Sequence, residues 1–493
     1  MFVVARRCRT RALAAFLTLG MAGCAVGPDY VPPTLPPGVD APAFKESGLW
    51  VPASPAVAAA DGAWWQAYGD AQLDVLVEQA NQANPSLAQA EARYRQAQAL
   101  LQGARAAFYP TASAGASGGR SRSISNGMSS LGDAHAWSLQ ASWEPDLWGG
   151  VRRGVEAAGD NAQASAADLA AARLTVQAAV VNSYIQMRLN DEQRALYAST
   201  IEGYQKALAL TQAQHRAGVA TGADVALAQN TLAAAQAQSV DLDLTRRQLE
   251  HALAVLLGQA PSAFALPVAP LQAQLPATPP GLPSRLLERR PDIAAAERRV
   301  AAANARIGVA QAAYYPHLTL SASGGYQGSG FGPWFLTPGR VWALGAALAG
   351  ALFDGGARGA QVEQARAALD EAAAAYRQTV LSGFQEVEDN LAALGELARE
   401  RVAQDEAARA ARESARILLA QYRAGTAPYT AVVTAQALVL TAERTVLQLR
   451  ARQFAASVAL IKAIGGGWDA SRLADAEQAA PPDVAADGTS SSP

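Results

Sequence analysis

The sequence predicts a mainly α-helical protein with a membrane β-barrel part, in which one protomer carries two repeats of long helices plus four strands. Three observations predict this fold class: the chain contains one unit twice, apolar residues recur at helical spacing over dozens of residues, and each unit is interrupted by segments that alternate apolar and polar residues. The composition agrees, because 50% of the 493 residues are hydrophobic but only 6% are aromatic, and Ala and Leu suit closely packed helices.

The charge balance excludes one large class of function. The chain has 40 basic and 42 acidic residues, a formal charge of −2, and no Lys/Arg cluster after its first few residues. A nucleic-acid binder normally carries a basic face or stripe, so no nucleic-acid partner is expected. The 2 cysteines exclude a disulfide framework.

The N-terminus reads as an export signal. Four arginines between positions 6 and 11 precede an apolar stretch, 12–22, that is too short to span a membrane. This stretch ends in Met21-Ala22-Gly23 directly before Cys24, as in a bacterial lipoprotein. We therefore predict a signal peptide over 1–23 and a diacylglyceryl and N-acyl lipid on Cys24, with no other cofactor. The alternative is a simple secretory signal with an incidental cysteine.

The two copies of the unit fix the domain organisation. A constant offset of 206 lays the segment 84–119 over 290–325, and an offset of 207 lays Gly218 over Gly425. We predict an N-terminal anchor segment over 24–72, repeat 1 over 73–260, a Pro-rich linker over 261–284 and repeat 2 over 285–466. The tail, 467–493, is rich in Ala, Asp, Pro and Ser, which predicts disorder.

Each repeat is predicted to run short helix, two strands, long helix, medium helix. In repeat 2 a seam of apolar residues from Val362 to Leu394 predicts a coiled-coil-like helix. The predicted helices are 73–107, 155–215 and 223–257 in repeat 1, and 288–313, 362–423 and 429–464 in repeat 2. A soluble or structural coiled coil would account for the helices but not for the segments between them.

Those segments have the pattern of membrane strands, at about 111–146 and 317–352. Residues 137–144 alternate strictly, and so do the segments that begin at Leu318 and Trp342. Four strands cannot close a barrel, and an open edge in lipid leaves backbone groups unpaired. Other copies of the chain must therefore close it: a dimer would give about eight strands and a filled interior, a trimer about twelve and a lumen.

The residues resemble those of a known family, the outer-membrane efflux proteins, and within it the lipidated outer-membrane factors of multidrug pumps. The resemblance covers nearly the whole mature chain. The matching motifs are Cys24 with 27–30 (GPDY), Trp64-Trp65 with Asp70, 281–284 (GLPS), 286–293 (LLERRPDI), 302–310 (AANARIGVA), 352–356 (LFDGG) and 422–426 (YRAGT).

The resemblance implies a homotrimer in the bacterial outer membrane, with a twelve-stranded barrel continued by an α-helical barrel into the periplasm. It also implies an equatorial belt formed by the linker and the terminal segments. The implied function is passive exit of drugs or other small molecules. The implied partners are outer-membrane lipid, a periplasmic adaptor and, through the adaptor, an inner-membrane RND pump.

The resemblance further implies a periplasmic gate. Asp224 matches an acid that pairs across to the tyrosine at Tyr422, whereas the acidic-ring positions of related channels fall on Ala431 and Thr434. A usual polar partner falls on Ala427, so a less charged constriction is expected. Threefold symmetry would bring Asp224 near the axis three times and favour cations; the alternative is a solvated helix-terminal Asp. Gly218 and Gly425 are predicted to turn the chain at the helix tips.

Catalysis is not expected. The 4 histidines are scattered, and the match of 115–119 to the nucleophile elbow places Ser117 inside a Gly/Ser strand. Glu297 is predicted to pair on the helix surface near Arg299. Two rival functions use similar helices: a type I secretion outer-membrane duct, which shares the fold, and a periplasmic coiled-coil adaptor lipoprotein, which should lack strand pairs with aromatic edges.

Overall fold

The computed structural model describes residues 25–39, 44–46, 62–125, 128–276, 289–329 and 339–471. The predicted signal peptide, Cys24 and nearly all of the predicted C-terminal tail lie outside these ranges, as do the motif residues 281–288. The described residues form two compact units. The first unit contains the residues within 25–34, 93–165 and 295–376, and the second contains the remaining described residues.

The elements follow the predicted order in both repeats. Repeat 1 contains α1 (Ala71–Ala83), α2 (Pro85–Ala106), β1 (Thr111–Ser125), β2 (Met128–Trp143), α3 (Gly150–Arg216) and α4 (Gly222–Leu256). Repeat 2 contains α5 (Pro291–Ala312), β3 (His317–Gly328), β4 (Arg340–Ala349), α6 (Ala357–Arg423) and α7 (Tyr429–Ala463). The long helices α3 and α6 each have 67 residues, and the medium helices α4 and α7 each have 35, so the two repeats are equal in these elements.

The predicted first helix, 73–107, is in fact two helices. Asn84 adopts an extended backbone between α1 and α2, and its side chain accepts hydrogen bonds from the amides of Ser86 at 2.8 Å and Leu87 at 3.1 Å. Pro85 follows it, and a proline disfavours helical backbone at the residue before it. The single-helix prediction was wrong because the apolar spacing continues across a break that Pro85 imposes.

The long helices exceed their predicted lengths. Both begin about five residues earlier than predicted, at Gly150 and Ala357. In each case an Asp–Arg pair fixes the first turn: Arg152 Nε donates to Asp146 at 3.0 Å, and Arg358 Nε donates to Asp354 at 2.6 Å. The short helix α5 and the medium helix α7 have 22 and 35 residues, against 67 in α6.

The four strands form one antiparallel sheet in the order β1-β2-β3-β4. The central pair joins the two repeats, because Trp137 of β2 lies opposite Tyr326 of β3. Gly325 is needed beside this pair, since a Cβ atom there would lie 2.1 Å from the Trp137 carbonyl oxygen. Within the described residues, β1 pairs only with β2 and β4 pairs only with β3, so each of these edge strands has one unpaired edge.

The core of the first unit outside the sheet is built from small side chains. α5 buries Ala301, Ala302, Ala303 and Ala305, and all four are at most 4% exposed. A run of buried alanines lets backbones approach closely, which suits densely packed helices.

The second unit has a larger core around Tyr68. This cluster contains Leu73, Ile185, Leu253 and Phe454, among others. Buried polar groups at its edge are paired: Asp70 caps α1 and accepts a hydrogen bond from the Tyr184 hydroxyl at 2.9 Å. Among the described residues, α3 alone has a stretch long and apolar enough to cross a membrane, and 44% of that stretch is buried.

Buried arginines hold the described part of the Pro-rich linker against the helices of the second unit. Arg246 donates to the Leu266 carbonyl at 2.6 Å and to Asp191 at 2.8 Å. Arg188 donates to the Pro267 carbonyl at 2.6 Å. Asp191 is 3% exposed, so its charge requires these partners. The linker therefore has a fixed path at 261–276.

Each repeat ends near a glycine whose backbone packs directly against a carbonyl group earlier in the same repeat. Gly258 has φ +70° and would place a Cβ atom 2.2 Å from the Ala83 carbonyl oxygen; Gly465 has φ +92° and would place one 2.0 Å from the Arg289 carbonyl oxygen. Only glycine fits such a site without a shift of the backbone.

Candidate functional site

The sheet has one polar, uncharged face. Side chains on a strand alternate between faces, and directly paired residues share a face. Ser138 and Gln140 of β2 lie opposite Gly115 and Ser113 of β1, and they lie opposite Gly325 and Ser323 of β3. The described residues of this face are mainly hydroxyl, amide and small side chains, with His317 at its base: Thr111, Ser113, Ser117, Ser138, Gln140, Ser142, Thr319, Ser321, Ser323 and Gln327.

The opposite face is apolar over most of its height. Leu344 and Leu348 of β4 are 75% and 66% exposed, and Leu139 of β2 is 56% exposed. An aromatic row crosses this face where Trp137 and Tyr326 lie 5.5 Å apart between ring centroids, next to Trp342. A second aromatic level lies nearer the helices, where Trp143 donates to the Phe108 carbonyl at 3.0 Å. Exposed aliphatic residues between aromatic levels are the pattern of a lipid-facing surface.

The segment that follows Cys24 is fixed to the helices of the first unit. We call residues 25–30 the strap. The Val26 amide donates to the Trp148 carbonyl at 3.0 Å, and Asn304 donates to the Pro28 carbonyl at 2.9 Å. Gly27 crosses Gly308 so closely that a Cβ atom on Gly27 would lie 2.5 Å from the Gly308 Cα atom.

Two charged contacts complete the attachment of the strap. Arg153, whose side chain is 8% exposed, donates to Asp29 at 2.9 Å. The Tyr30 hydroxyl donates to Glu297 at 2.5 Å, and the Arg298 guanidinium lies 5.9 Å from the Tyr30 ring centroid. Burial is the main cause that raises the pKa of Tyr30 far above its usual value, and the hydrogen bond to Glu297 is the second. Glu297, expected near Arg299, has its described contacts with Tyr30 and with Arg298 at 2.5 Å.

The turn between α3 and α4 and the turn between α6 and α7, which we call the helix tips, have the same geometry. Gly218 and Gly425 have φ of +76° and +77°. At the first tip the Val219 amide donates to the Gln214 carbonyl at 2.8 Å, and at the second the Thr426 amide donates to the Gln421 carbonyl at 2.9 Å. These are Schellman ends, in which a left-handed glycine stops the helix. Both glycines therefore lie where their helices end.

Asp224 lies in the first turn of α4 and caps it. Its carboxylate accepts from the Thr221 hydroxyl at 2.7 Å and the Thr221 amide at 2.9 Å, while the Asp224 amide donates to the Thr221 hydroxyl at 3.2 Å. This reciprocal pair is a capping box. The bonds from Thr221 lower the pKa of Asp224, so the carboxylate stays charged at neutral pH.

Tyr422 is buried against α3, at 6% exposure. Its hydroxyl donates to the Gln214 side chain and lies 3.2 Å from the Thr211 hydroxyl, and its ring lies 5.3 Å from that of Tyr429 between centroids. Within one protomer, Tyr422 and Asp224 thus have different partners.

The remaining predicted gate positions lie on α7. Ala431 is half-buried, and Thr434 is exposed and donates to the Thr430 carbonyl at 2.9 Å. Gln214, Thr211 and Thr221 were not predicted as site residues. A sequence signal existed for the first of these, because Gln214 and Gln421 stand at equal positions in the two repeats.

The structure places Ser117 in the middle of β1, opposite Ala136. A nucleophile elbow requires a strand, a sharp turn and a helix, so the local geometry differs from that of the motif. Within the described ranges, no group of His, Cys, Asp and Glu residues is arranged to hold a metal ion.

Comparison with known proteins identifies the family. The family model described as outer membrane efflux protein matches residues 76–259 and 282–466. The chain is 34% identical to the pyoverdine export outer membrane protein OpmQ of Pseudomonas putida, over 92% of this chain and 97% of the relative. It is 30% identical to the toluene efflux pump outer membrane protein TtgC of Pseudomonas putida, over 93% and 95%.

A solved structure of the outer-membrane channel OprN superposes with a TM-score of 0.80 at 30% identity, covering 90% of this chain and all of that one. The two family matches coincide with the two repeats, and the sheet with one polar and one apolar face lies between their helices in sequence. The chain belongs to the outer membrane efflux protein family and is an outer-membrane exit channel of an efflux system.

Proposed function

We propose that the chain is one protomer of a threefold channel through which small molecules leave the cell passively. The molecules would arrive from an inner-membrane RND-type pump through a periplasmic adaptor. In this arrangement β1 of one protomer pairs with β4 of the next. Twelve strands then form a barrel of about the size that leaves a lumen.

The sheet carries this proposal. A single sheet with one apolar face, one polar face and a free edge on each side is not a stable membrane structure, because each free edge exposes backbone groups to lipid. Exposed side chains such as Leu344 and Trp342 face the lipid, while Ser138 and Gln140 face the lumen. Closure by identical copies satisfies both edges without adding another element.

The chemistry of the lumen face favours a broad range of small molecules. Hydroxyl and amide groups hydrogen-bond to many solutes and carry no fixed charge, so this part of the path does not select by charge. Two relatives are named for pyoverdine export and toluene efflux, that is, for two different compounds. We propose that this channel likewise does not determine the substrate, which the pump would select.

The helix tips would form the periplasmic gate. Asp224 is charged and half-buried in one protomer, so three copies near the axis would repel one another and attract cations. Tyr422 would hold α6 against α3 through Gln214. Ala431 and Thr434 add no charge, so Asp224 is the one charged residue among the four predicted gate positions.

Complementation of a channel-deletion strain tests the function. The full chain should restore resistance to compounds exported by the cognate pump, and an empty vector should not. Native mass spectrometry of the detergent-extracted protein should give a trimer. A stable monomer that is released to the aqueous phase when its lipid is removed would contradict the proposal. Labelling with a radioactive fatty acid, abolished by Cys24→Ser, tests the anchor.

A further inference from the structure

The outer face of the sheet carries three exposed arginines, two on edge strand β1 and one on edge strand β4. In the barrel proposed above these two strands pair between neighbouring copies, which brings Arg120 and Arg122 of one copy onto the strand next to Arg340 of the other. Arg120 and Arg122 of β1 lie on the same face as Ala116, since they are separated from it by even numbers of residues. Ala116 lies opposite Trp137, so this face is the apolar one. Arg340 of β4 lies opposite Tyr326 on the same face. We call these three arginines the rim.

Arg340 lies level with the aromatic row, and Arg120 and Arg122 lie beyond it toward the hairpin turns. Arg340 is level with Trp137 and Tyr326, because those residues are paired across the sheet. Arg120 is four residues farther along β1 than Ala116, roughly 13 Å along the strand at about 3.3 Å per residue. Aromatic rows mark the boundary between hydrocarbon and headgroups. The rim therefore reaches from this boundary into the headgroup layer on the side of the hairpin turns, away from the helices.

The rim has more positive charge than its own contacts neutralise. Asp133 lies opposite Arg120 at 3.4 Å, but the side chains of this pair are 46% and 68% exposed, so their interaction is weak. Arg122 donates to the neutral Ser129 hydroxyl at 3.4 Å. Arg340 is exposed. Leu131, opposite Arg122, is also exposed, which gives this region the mixed character of a membrane interface.

We propose that the rim is a binding site for the phosphate groups of the outer-leaflet glycolipid. A phosphate monoester on a lipid headgroup presents its oxygens at the height of the rim. Guanidinium groups bind phosphate bidentately and do so better than lysine, which accounts for arginine rather than lysine at all three positions. The acyl chains of the same lipid would cover the apolar belt around Leu344 and Leu139. This proposal rests on the proposed function, in which the helix tips lie in the periplasm and the hairpin turns therefore lie on the outer side of the membrane.

The test compares lipids first, so that it does not depend on a variant that folds. The full-length channel in detergent with EDTA is incubated with diphosphoryl lipid A or with dephosphorylated lipid A, and retained lipid is counted by native mass spectrometry. We expect at least roughly tenfold more retention of the phosphorylated form, given that each arginine near an anionic surface contributes appreciably to binding. Equal retention of the two forms would overturn the proposal.

Variants then locate the site. The combined change Arg120→Gln, Arg122→Gln and Arg340→Gln should abolish the preference, and the three Arg→Lys changes should retain part of it. The matched control, Arg399→Gln, Arg409→Gln and Arg416→Gln, removes as many exposed charges from α6 and should leave the preference intact. If the control loses the preference equally, the rim is not the site.

A free-anion arm separates a lipid site from a general anion patch. Inorganic phosphate at the same phosphate concentration should not displace lipid A, because the acyl chains contribute to the bound state. Displacement would overturn the assignment to lipid. Drug resistance of the complemented strain reports on the exit function independently, and we expect the rim variant to keep it.

Discussion

The Tyr30 hydroxyl donates a hydrogen bond of 2.5 Å to Glu297, a residue 267 positions later in the chain. The contact joins the segment that follows the predicted lipidation site to helix α5 of the second repeat. Together with the Arg153–Asp29 pair at 2.9 Å, it fixes the path of the strap along the first unit. Contacts within the folded chain therefore hold residues 25–30, which directly follow the predicted lipidation site.

Tyr30→Phe should loosen the strap. It removes the hydroxyl and keeps the ring beneath Arg298, so we expect a loss of about 2 kcal/mol in the free energy of unfolding, since a hydrogen bond to a charged group is lost. Hydrogen exchange at the Val26 amide, which donates to Trp148, should become faster. Glu297→Gln keeps an acceptor and should have a smaller effect on exchange. An unchanged rate of hydrogen exchange at the Val26 amide in Tyr30→Phe would contradict this prediction.

The same contact predicts a dependence on pH. The folded state raises the pKa of Tyr30, so it holds the proton more tightly than the unfolded chain does. This contribution to stability is fully present below the unfolded pKa, about 10, and is lost as the pH rises above it. Thermal melts of the wild type and Tyr30→Phe should therefore converge above about pH 10. A constant difference in melting temperature across that range would contradict the prediction.

The paired glycines at the ends of the repeats predict a sharp difference between similar substitutions. Gly425→Ala meets open space and has only the cost of a left-handed backbone, about 1 kcal/mol. Gly258→Ala and Gly465→Ala add a Cβ atom within 2.2 Å and 2.0 Å of a carbonyl oxygen. We expect each to cost roughly 3 kcal/mol or more in the free energy of unfolding. Equal melting temperatures for the three variants would show that the backbone around Gly258 and Gly465 shifts to accommodate the added Cβ atom.

The fold was predictable because its signals are local or periodic. The repeat offset, the helical spacing and the alternation at residues 137–144 each depend on a few neighbouring residues. The break at Asn84 was missed although Pro85 signalled it, because the apolar spacing continues past the break. Predictions of element type therefore succeeded better than predictions of element ends.

The contacts of the site were less predictable because they join residues far apart in the sequence. The motif at 27–30 was recognised, yet nothing in the sequence indicated that Asp29 binds Arg153 or that Tyr30 binds Glu297. Similarly, Tyr422 was selected by resemblance, but its partner Gln214 depends on the axial register of two helices. Helix registers are set by the packing of many small side chains, and single positions do not encode them.

Arg290 shows why an arginine is needed in the segment that joins the linker to α5. It makes two bonds to Asp292, at 2.7 and 3.0 Å, one to Glu386 at 2.7 Å and one to the Ala463 carbonyl at 3.1 Å. Gly383 leaves the room that the guanidinium occupies, because a Cβ atom there would lie 3.2 Å from Arg290 Nε.

Arg290→Lys should therefore destabilise the second unit by about 2 kcal/mol, because lysine cannot reproduce the planar, bidentate geometry. The matched control is Arg399→Lys on α6, where one exposed pair with Glu396 is at stake and less than about 0.5 kcal/mol is expected. Chemical denaturation of the purified variants measures both changes. Similar midpoints for the two variants would show that the Arg290 contacts contribute little.

Single cysteines along β2 test which face meets water. Ser138→Cys and Gln140→Cys should react with a membrane-impermeant maleimide in whole cells, because their side chains share the polar face. Leu139→Cys and Ala141→Cys should be protected by lipid. The unsubstituted chain measures any background from Cys24. Labelling without a two-residue period would contradict the assignment of the faces.

The gate assignment of Asp224 has to be separated from its capping role. Both roles are lost in Asp224→Ala, whereas Thr221→Ala removes the reciprocal hydroxyl bonds and retains the carboxylate. Asp224→Asn retains an acceptor for the Thr221 amide and removes the charge.

If three carboxylates near the axis hold the tip closed and attract cations, both Asp224 variants should lower the cation selectivity in planar bilayers, and Asp224→Ala should raise the single-channel conductance. Thr221→Ala should keep the selectivity while its α4 amides exchange faster, because the cap contributes roughly 1 kcal/mol to that helix end. Wild-type selectivity and conductance in both Asp224 variants would leave the residue as a helix cap and would end its assignment to the gate.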